Sequence, residues 1–268
     1  TLTYPGIRSI AASLGLRLVG VPSDQEGLRP EALERAITEH WPAALYLNPT
    51  LQNPTTRTMS AARRREIAAV LKRHDLPLVE DDAYRFVAAE APQPLSSHVP
   101  DLAWHIAGIS KCFGAGLRLA YTTVPKQSEM GRFSQALRSI NVMASPLSLA
   151  LLGHWIEDGT AAQIQAFVRR AAAQRQELAR GILCGCFVTN APEAFNLWVE
   201  LPRGTSRAEV MGRMANRQIG IMPSDAFTVV GQPSEALRVC LGGPISLEQL
   251  REDLIALRDA ILRKDWLG

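Results

Sequence analysis

Two kinds of hydrophobic pattern alternate along the first half of the chain. Short apolar runs typical of strands occur at LRLVGVP, AALYLNP, PLVEDD, WHIAGIS and LRLAYTTV. Segments with apolar residues on one side, typical of helices, occur at IRSIAASLG, PEALERAITEH and AARRREIAAVLKRHD, and Ser60 is placed to cap the last of these. Strands that are apolar almost throughout, separated by amphipathic helices, predict an α/β fold with a mostly parallel sheet and helices on both faces.

The pattern changes from about Ser145 onward. Two helical segments, SPLSLALLGHWIED and QIQAFVRRAAAQRQELARGIL, precede the short strand-like runs CFVTN, FNLWVELP, IGIMP and ALRVCL. A helix is predicted at RAEVMGRMANRQ, and a last helix begins at a capping box formed by Ser246 and Gln249. We therefore predict a large domain over residues 1–155 and a smaller C-terminal α+β domain over residues 156–268, joined by a long helix at about 160–184.

Composition indicates an ordinary globular protein. The chain has 268 residues, of which 47% are hydrophobic and 21% charged, which argues against disorder. The formal net charge is only +3, and the densest basic run, Arg63-Arg64-Arg65, fits a solvated helix face, so charge alone does not favour nucleic-acid binding.

Cysteine usage and hydropathy predict a reducing compartment. The four cysteines have neither the spacing of a zinc site nor that of a small disulfide framework, so we expect free thiols. The sequence contains neither a signal peptide nor an apolar run of about 18 residues, so we expect no membrane span and a cytoplasmic location.

Polar side chains follow three of the predicted strands. Asn53 comes after AALYLNP, Asp81 and Tyr84 come at the end of PLVEDD and just beyond it, and Ser110 and Lys111 end WHIAGIS. Ligands of open parallel sheets bind beyond the carboxyl ends of the strands, so these groups could converge on one crevice. Each also has an ordinary explanation: a lysine that reaches solvent, an acidic helix cap, or an Asn-Pro turn.

Other common catalytic patterns are missing from the sequence. The five histidines form no HExxH spacing, and neither a GxxxxGK[ST] phosphate loop nor a GxSxG nucleophile turn occurs. Gly114 and Gly116 lack the third glycine of a dinucleotide fingerprint and could serve only the turn. We therefore predict no metal site and no nucleotide or serine-hydrolase chemistry.

As an ordered set, several short segments resemble a known family. YPG, NPT, EDDAY, SK followed seven residues on by Arg118, and LRVCL occur in the order found in pyridoxal-phosphate enzymes of the aspartate aminotransferase fold, class I/II (fold type I). FNLWVELP, IMPSDAF and ALRVCLGGP look most like the aminotransferase-like domain of MocR regulators, in which a GntR-type winged helix precedes that domain. The resemblance implies a large cofactor-binding domain, N-terminally truncated here, and a small C-terminal domain.

The resemblance also implies roles for the polar residues at the strand ends. Lys111 would be the Schiff-base lysine and would move a proton between the substrate and the cofactor, pyridoxal 5'-phosphate. Burial and nearby cations would keep its amine reactive. Asp81 would face the pyridine nitrogen and keep it protonated, so that the ring accepts electrons. Tyr84 and Asn53 would hydrogen-bond the phenolic oxygen of the ring.

Further roles follow from the same resemblance. Tyr4 would stack on the ring, and Arg118, assisted by Ser110, would hold the phosphate. Arg238 would bind the α-carboxylate of the substrate. Two departures from the family pattern stand out: Thr56 follows NPT where the family has glycine, and the glycine-rich phosphate loop of relatives would lie upstream of this chain.

The function implied is an aminotransferase that moves an amino group between an L-amino acid and a 2-oxo acid through Lys111. The alternative is a cofactor-binding effector domain of a MocR-type regulator of the GntR family, with little or no turnover. A homodimer is implied by the resemblance, and DNA would be bound only through a module that this chain does not contain. The side-chain specificity for the substrate is left open.

Overall fold

A computed structural model describes residues 1–262, which form two compact units. The central unit consists of Val21–Leu51 and Thr58–Arg169. The C-terminal unit consists of Thr1–Gly20, Gln52–Arg57 and the chain from Arg170 onward.

Helices and strands alternate in the central unit and mix in the C-terminal one. The helices are α1 (Pro5–Ser13), α2 (Pro30–His40), α3 (Ala61–Arg73), α4 (Ser110–Phe113), α5 (Met130–Asn141), α6 (Pro146–Glu157), α7 (Thr160–Ile182), α8 (Arg207–Arg213) and α9 (Leu247–Leu262). The strands are β1 (Ser23–Asp24), β2 (Gly27–Leu28), β3 (Leu45–Leu47), β4 (Leu78–Asp81), β5 (Ala103–Gly108), β6 (Ala120–Thr123), β7 (Phe187–Thr189), β8 (Asn196–Glu200), β9 (Gly220–Pro223) and β10 (Ala236–Cys240).

The sheet of the central unit has the order β3-β4-β5-β6. The pairs β3–β4 and β4–β5 are parallel, which confirms the mostly parallel sheet, whereas β6 pairs with β5 in the antiparallel direction. Apolar side chains of α2, α3 and the strands form the core beside this sheet, among them Leu33, Ile37, Leu45, Ile67, Leu71 and Leu78. The carboxyl ends of β4 and β5 therefore open at the same edge.

The prediction of a strand at LRLVGVP is wrong. Residues 16–22 have no regular secondary structure and lie only partly buried or exposed. A strand needs a neighbour for its backbone hydrogen bonds, and none of the described strands pairs with this segment.

The interpretation of the arginine run as a solvated face is also wrong. Arg64 is 0% exposed, and its guanidinium lies 3.7 Å from the carboxylate of Glu80, which is also fully buried. Arg63 is mostly covered and forms an ion pair with Asp24 at 3.1 Å, and Arg65 alone is exposed. The three arginines differ in burial because successive residues of an α-helix point to different sides.

The C-terminal unit contains an antiparallel sheet with the order β7-β8-β10-β9. Its core joins the sheet to α7, α8 and α9 and includes Leu197, Val199, Leu237, Val239, Leu250 and Leu254. Ser246 accepts a hydrogen bond from the backbone of Gln249 at 3.1 Å, as predicted for the last helix. The side-chain amide of Gln249 donates to Asp253 at 3.1 Å.

Helix α7 lies where a long helix was predicted, and the boundary between the two units falls within it. The domain ranges 1–155 and 156–268 stay a prediction. All four cysteines are free, as expected. Within residues 1–262 no single helix has the length and hydropathy to cross a membrane, although the segments Gln127–Asn141 and Pro146–Glu157, bent by 114°, meet the criteria together.

Candidate active site

Three of the predicted site residues come together at one edge of the central sheet. Asp81 ends β4, and β5 runs through Gly108 into α4, where Lys111 is the second residue. The Nζ atom of Lys111 lies 5.5 Å from the centroid of the buried Tyr84 ring. An amine, a phenol and a carboxylate therefore lie in one neighbourhood, and the charge of Lys111 acts on the Asp81 carboxyl.

Asp81 is held at both its side chain and its backbone by residues of the β3 region. Its Oδ2 accepts a hydrogen bond from the Tyr46 hydroxyl at 2.6 Å. The side-chain amide of Asn48 donates to the Asp81 carbonyl at 2.7 Å. Burial raises the pKa of Asp81, and the hydrogen bond from Tyr46 is the largest influence that opposes this rise.

Lys111 and Arg118 both lie on the surface of the chain. The burial expected for the Lys111 amine is therefore not seen in the described residues. The turn between them contains Gly114 at φ 109°, a conformation that glycine adopts without strain, and Arg118 follows at φ 52°. Ser110 is half-buried and opens α4.

The other predicted residues belong to the C-terminal unit. On β10, Arg238 donates to Oδ1 of the buried Asn53 at 3.2 Å, and its guanidinium lies 5.3 Å from the centroid of the Phe227 ring. The Nε atom of Arg238 is buried with no hydrogen-bond partner among the described residues. Tyr4 precedes α1 and is 45% exposed. The Arg238 guanidinium is held by the Phe227 ring and the Asn53 amide, and its Nε–H has no hydrogen-bond partner among the described residues, so it is suited to bind a carboxylate.

Sequence reasoning missed two residues that hold the predicted ones in place. Tyr46 contacts Asp81, and Phe227 contacts Arg238. Tyr46 lies inside the run AALYLNP, where a tyrosine in an otherwise apolar strand was a usable signal. Phe227 had no such signal, because an aromatic residue after a turn is most simply a core residue.

A buried polar cluster lies next to Asp81 in the chain. Ligand-type atoms of Glu80, Asp82 and His105 lie within 4.8 Å of one another. Both oxygens of Glu80 already accept backbone hydrogen bonds, from Leu95 at 2.9 Å and Ser96 at 2.7 Å. His105 Nε2 lies 3.3 Å from Asp82, and this contact is the main cause that raises the pKa of His105.

A groove of about 580 Å³ runs along α5 and is lined by Met130, Gly131, Ser134, Gln135, Arg138 and Ser139. None of the predicted site residues lines it.

Comparison with known proteins places this geometry in context. The family model "Aminotransferase class I and II" matches residues 1–254. The HTH-type transcriptional regulator YdeF of Bacillus subtilis is 32% identical over 257 residues, which cover 96% of this chain and 55% of the regulator. The mitochondrial kynurenine/alpha-aminoadipate aminotransferase of Mus musculus is 27% identical over 251 residues, or 85% of this chain and 59% of that enzyme. The chain thus spans little more than half the length of these relatives.

A solved structure shares the fold. LysN, the alpha-aminoadipate aminotransferase of Thermus thermophilus, complexed with N-(5'-phosphopyridoxyl)-L-leucine, superposes with a TM-score of 0.86 at 23% identity. The match covers 97% of this chain and 69% of LysN. The predicted fold is therefore confirmed.

Proposed function

Because this chain belongs to the aminotransferase class I and II family, we propose that it is a pyridoxal-phosphate-dependent aminotransferase domain. It would move an amino group between an L-amino acid and a 2-oxo acid. The observation that carries the proposal is the grouping of Asp81, Tyr84 and Lys111 at the carboxyl ends of β4 and β5.

The residues present fit pyridoxal phosphate by their chemistry. The cofactor needs an amine for its aldehyde, an acid for its ring nitrogen, a hydrogen-bond donor for its phenolic oxygen and a cation for its phosphate. Lys111, Asp81, Tyr84 and Arg118 are those four groups, and all belong to the central unit. In the C-terminal unit, the Nε of Arg238, unpaired among the described residues, is a donor suited to a carboxylate.

Each residue then has a defined task. Bound pyridoxal phosphate supplies an electron sink for the bond that breaks at the α carbon of the amino acid. Lys111 would hold the aldehyde carbon and, once released, take the proton from the α carbon as general base. Asp81 would keep the ring nitrogen protonated, because an ionised carboxylate stabilises a proton that it accepts in a hydrogen bond.

Arg238 would orient the amino acid. Its guanidinium can form two parallel hydrogen bonds with a carboxylate. The side-chain oxygen of Asn53 accepts a hydrogen bond from one terminal nitrogen of Arg238. The other terminal nitrogen lies 3.3 Å from the sulfur of Met222, a weak acceptor that a carboxylate would displace. We propose that amino acids and 2-oxo acids share this carboxylate site.

The experiment that tests the proposal is borohydride reduction of the chain in the presence of pyridoxal phosphate, followed by peptide mapping. Reduction should attach the cofactor to Lys111, and Lys111→Ala should abolish both the label and the visible absorption band. Lys126→Ala is the matched control, because Lys126 is an exposed lysine of the same unit. Label at other lysines with none at Lys111 would refute the assignment.

A second candidate function is a cofactor-binding effector domain of a MocR-type regulator. The similarity to YdeF and to YjiR of Escherichia coli, of which this chain spans 55% and 57%, favours it. Label at Lys111 without transfer of amino groups to 2-oxoglutarate would support the effector role, and steady transfer would support the enzyme. A homodimer, a cytoplasmic location, and DNA contact only through a further module stay predictions from the sequence.

A further inference from the structure

We propose that Tyr46 is a positioning residue of the candidate site, whose hydroxyl holds the Asp81 carboxylate ionised and correctly oriented for the ring nitrogen of the cofactor. This inference rests on the proposed function. It concerns a residue that does not itself touch the reacting atoms.

The geometry of β3 and β4 supports this role. The two strands are parallel, and Tyr46 pairs with Val79, so its side chain starts two residues before Asp81 along β4. The phenol spans that offset and donates to Oδ2 at 2.6 Å, a short distance typical of a hydroxyl bound to a charged acceptor. Asn48, one residue beyond β3, fixes the Asp81 carbonyl at 2.7 Å. Asp81 is therefore held from the same strand region at its backbone and its side chain.

The electrostatic surroundings make this contact consequential. Burial raises the pKa of Asp81, and the neighbouring charge of Asp82 adds to the rise. Three influences lower it again, of which the Tyr46 hydroxyl is the largest, followed by the backbone N–H of Ala83 and the charge of Lys111. Loss of the phenol hydroxyl should therefore shift the carboxyl toward its protonated form.

A protonated carboxyl could not stabilise a proton on the ring nitrogen. Tyr46→Phe keeps the ring and its packing but removes the hydroxyl, so a purely structural role would survive the change. Tyr121→Phe is the matched control, because Tyr121 lies on β6 of the same sheet with its side chain 52% exposed. Removing that hydroxyl should leave Asp81 unaffected.

The decisive experiment does not need the cofactor. With aspartate labelled by ¹³C at the carboxyl carbon, the Asp81 resonance can be assigned by its loss in Asp81→Asn and titrated by NMR. We expect a higher pKa for Asp81 in Tyr46→Phe than in the parent chain, and an unchanged pKa in Tyr121→Phe. An Asp81 pKa that is the same in Tyr46→Phe as in the parent would overturn the inference.

A second arm measures binding of pyridoxal phosphate. Tyr46→Phe should weaken it by up to about tenfold for each unit by which the Asp81 pKa rises, at a pH below that pKa, so binding should be lost at a higher pH as the pH falls. In an Asp81→Asn background, Tyr46→Phe should have no further effect, and an equal loss there would contradict the inference. If the parent chain binds no cofactor, the proposed function fails, and the NMR titration alone decides the role of Tyr46.

Discussion

Removing the buried guanidinium of Arg64 should be among the most damaging single changes to the central unit. Arg64 is 0% exposed on α3, and every part of its head is engaged. Its nitrogens donate to the carbonyl oxygens of Met59, Gln93 and Pro49 and to the hydroxyl of Thr50, at 3.1 to 3.2 Å. Burial lowers the pKa of Arg64, and the charge of Glu80 opposes this most strongly.

The expected magnitude follows from what Arg64→Met leaves behind. Glu80, also 0% exposed, would lose the cation at 3.7 Å while keeping its two backbone donors. Breaking a buried ion pair by removal of one partner costs about 3–5 kcal/mol, because the remaining charge stays desolvated. Four acceptors also lose their donor, but these losses overlap with the first and are not additive. We therefore expect the free energy of unfolding to fall by about 4 kcal/mol.

Urea unfolding followed by far-UV circular dichroism measures this loss. Arg65→Met, on the same helix at an exposed position, is the matched control and should change the free energy of unfolding by less than about 0.5 kcal/mol. A loss no larger than that of Arg65→Met would refute the reasoning.

Three other changes should have defined effects. Thr56→Gly should stabilise the chain by about 1 kcal/mol in the same urea assay, because Thr56 has φ 60° and a buried hydroxyl without a partner among the described residues. The contact with Asp82 raises the pKa of His105 above the ordinary value of 6.5. Protonated His105 therefore stabilises the folded chain below pH 6.5, and this stabilisation is lost as the pH rises through the higher pKa of the folded state. His105→Asn should therefore cost more stability in mildly acidic than in alkaline buffer. Phe227→Leu should raise KM for the amino acid about threefold with little change in kcat, because the cation–π contact to Arg238 is lost.

Features that depend on local sequence were predictable. The helix at PEALERAITEH has the expected bounds, Pro30–His40, because proline favours the first turn and the apolar spacing continues to its end. Ser60 caps α3 by accepting from the backbone of Arg63 at 3.2 Å, as its residue type suggested. The polar residues at the ends of β4 and β5 lie close together because the carboxyl ends of parallel neighbouring strands are at the same edge of the sheet.

Features that depend on a distant partner were not predictable in the same way. The direction of β6 is set by its pairing with β5, and LRLVGVP, with a good strand pattern, has no described strand beside it.

The burial of Arg64, in contrast, did leave a signal in the sequence. It precedes Ile67, Ala68 and Leu71 by three, four and seven residues, the spacing of one helix face, and all three are buried. An arginine on the apolar face of a helix predicts a buried charge with a partner. For the burial of Arg64, this spacing is a stronger signal than its position in a run of three arginines.

The distribution of the candidate residues between the two units has a functional consequence. Asp81, Tyr84 and Lys111, the proposed cofactor residues, are held by contacts inside the central unit, whereas Arg238 is held by Phe227 and by Asn53 inside the C-terminal unit. Asn53, predicted to bind the cofactor, thus already has its side-chain oxygen engaged by the residue proposed to bind the carboxylate. A substitution in one unit should mainly affect the residues in contact with it, because substitutions at distant sites without shared partners act independently. Substitutions at β3 and β4 should therefore act on cofactor affinity, and substitutions around β10 on the affinity for amino acids, so the two proposed roles can be tested separately.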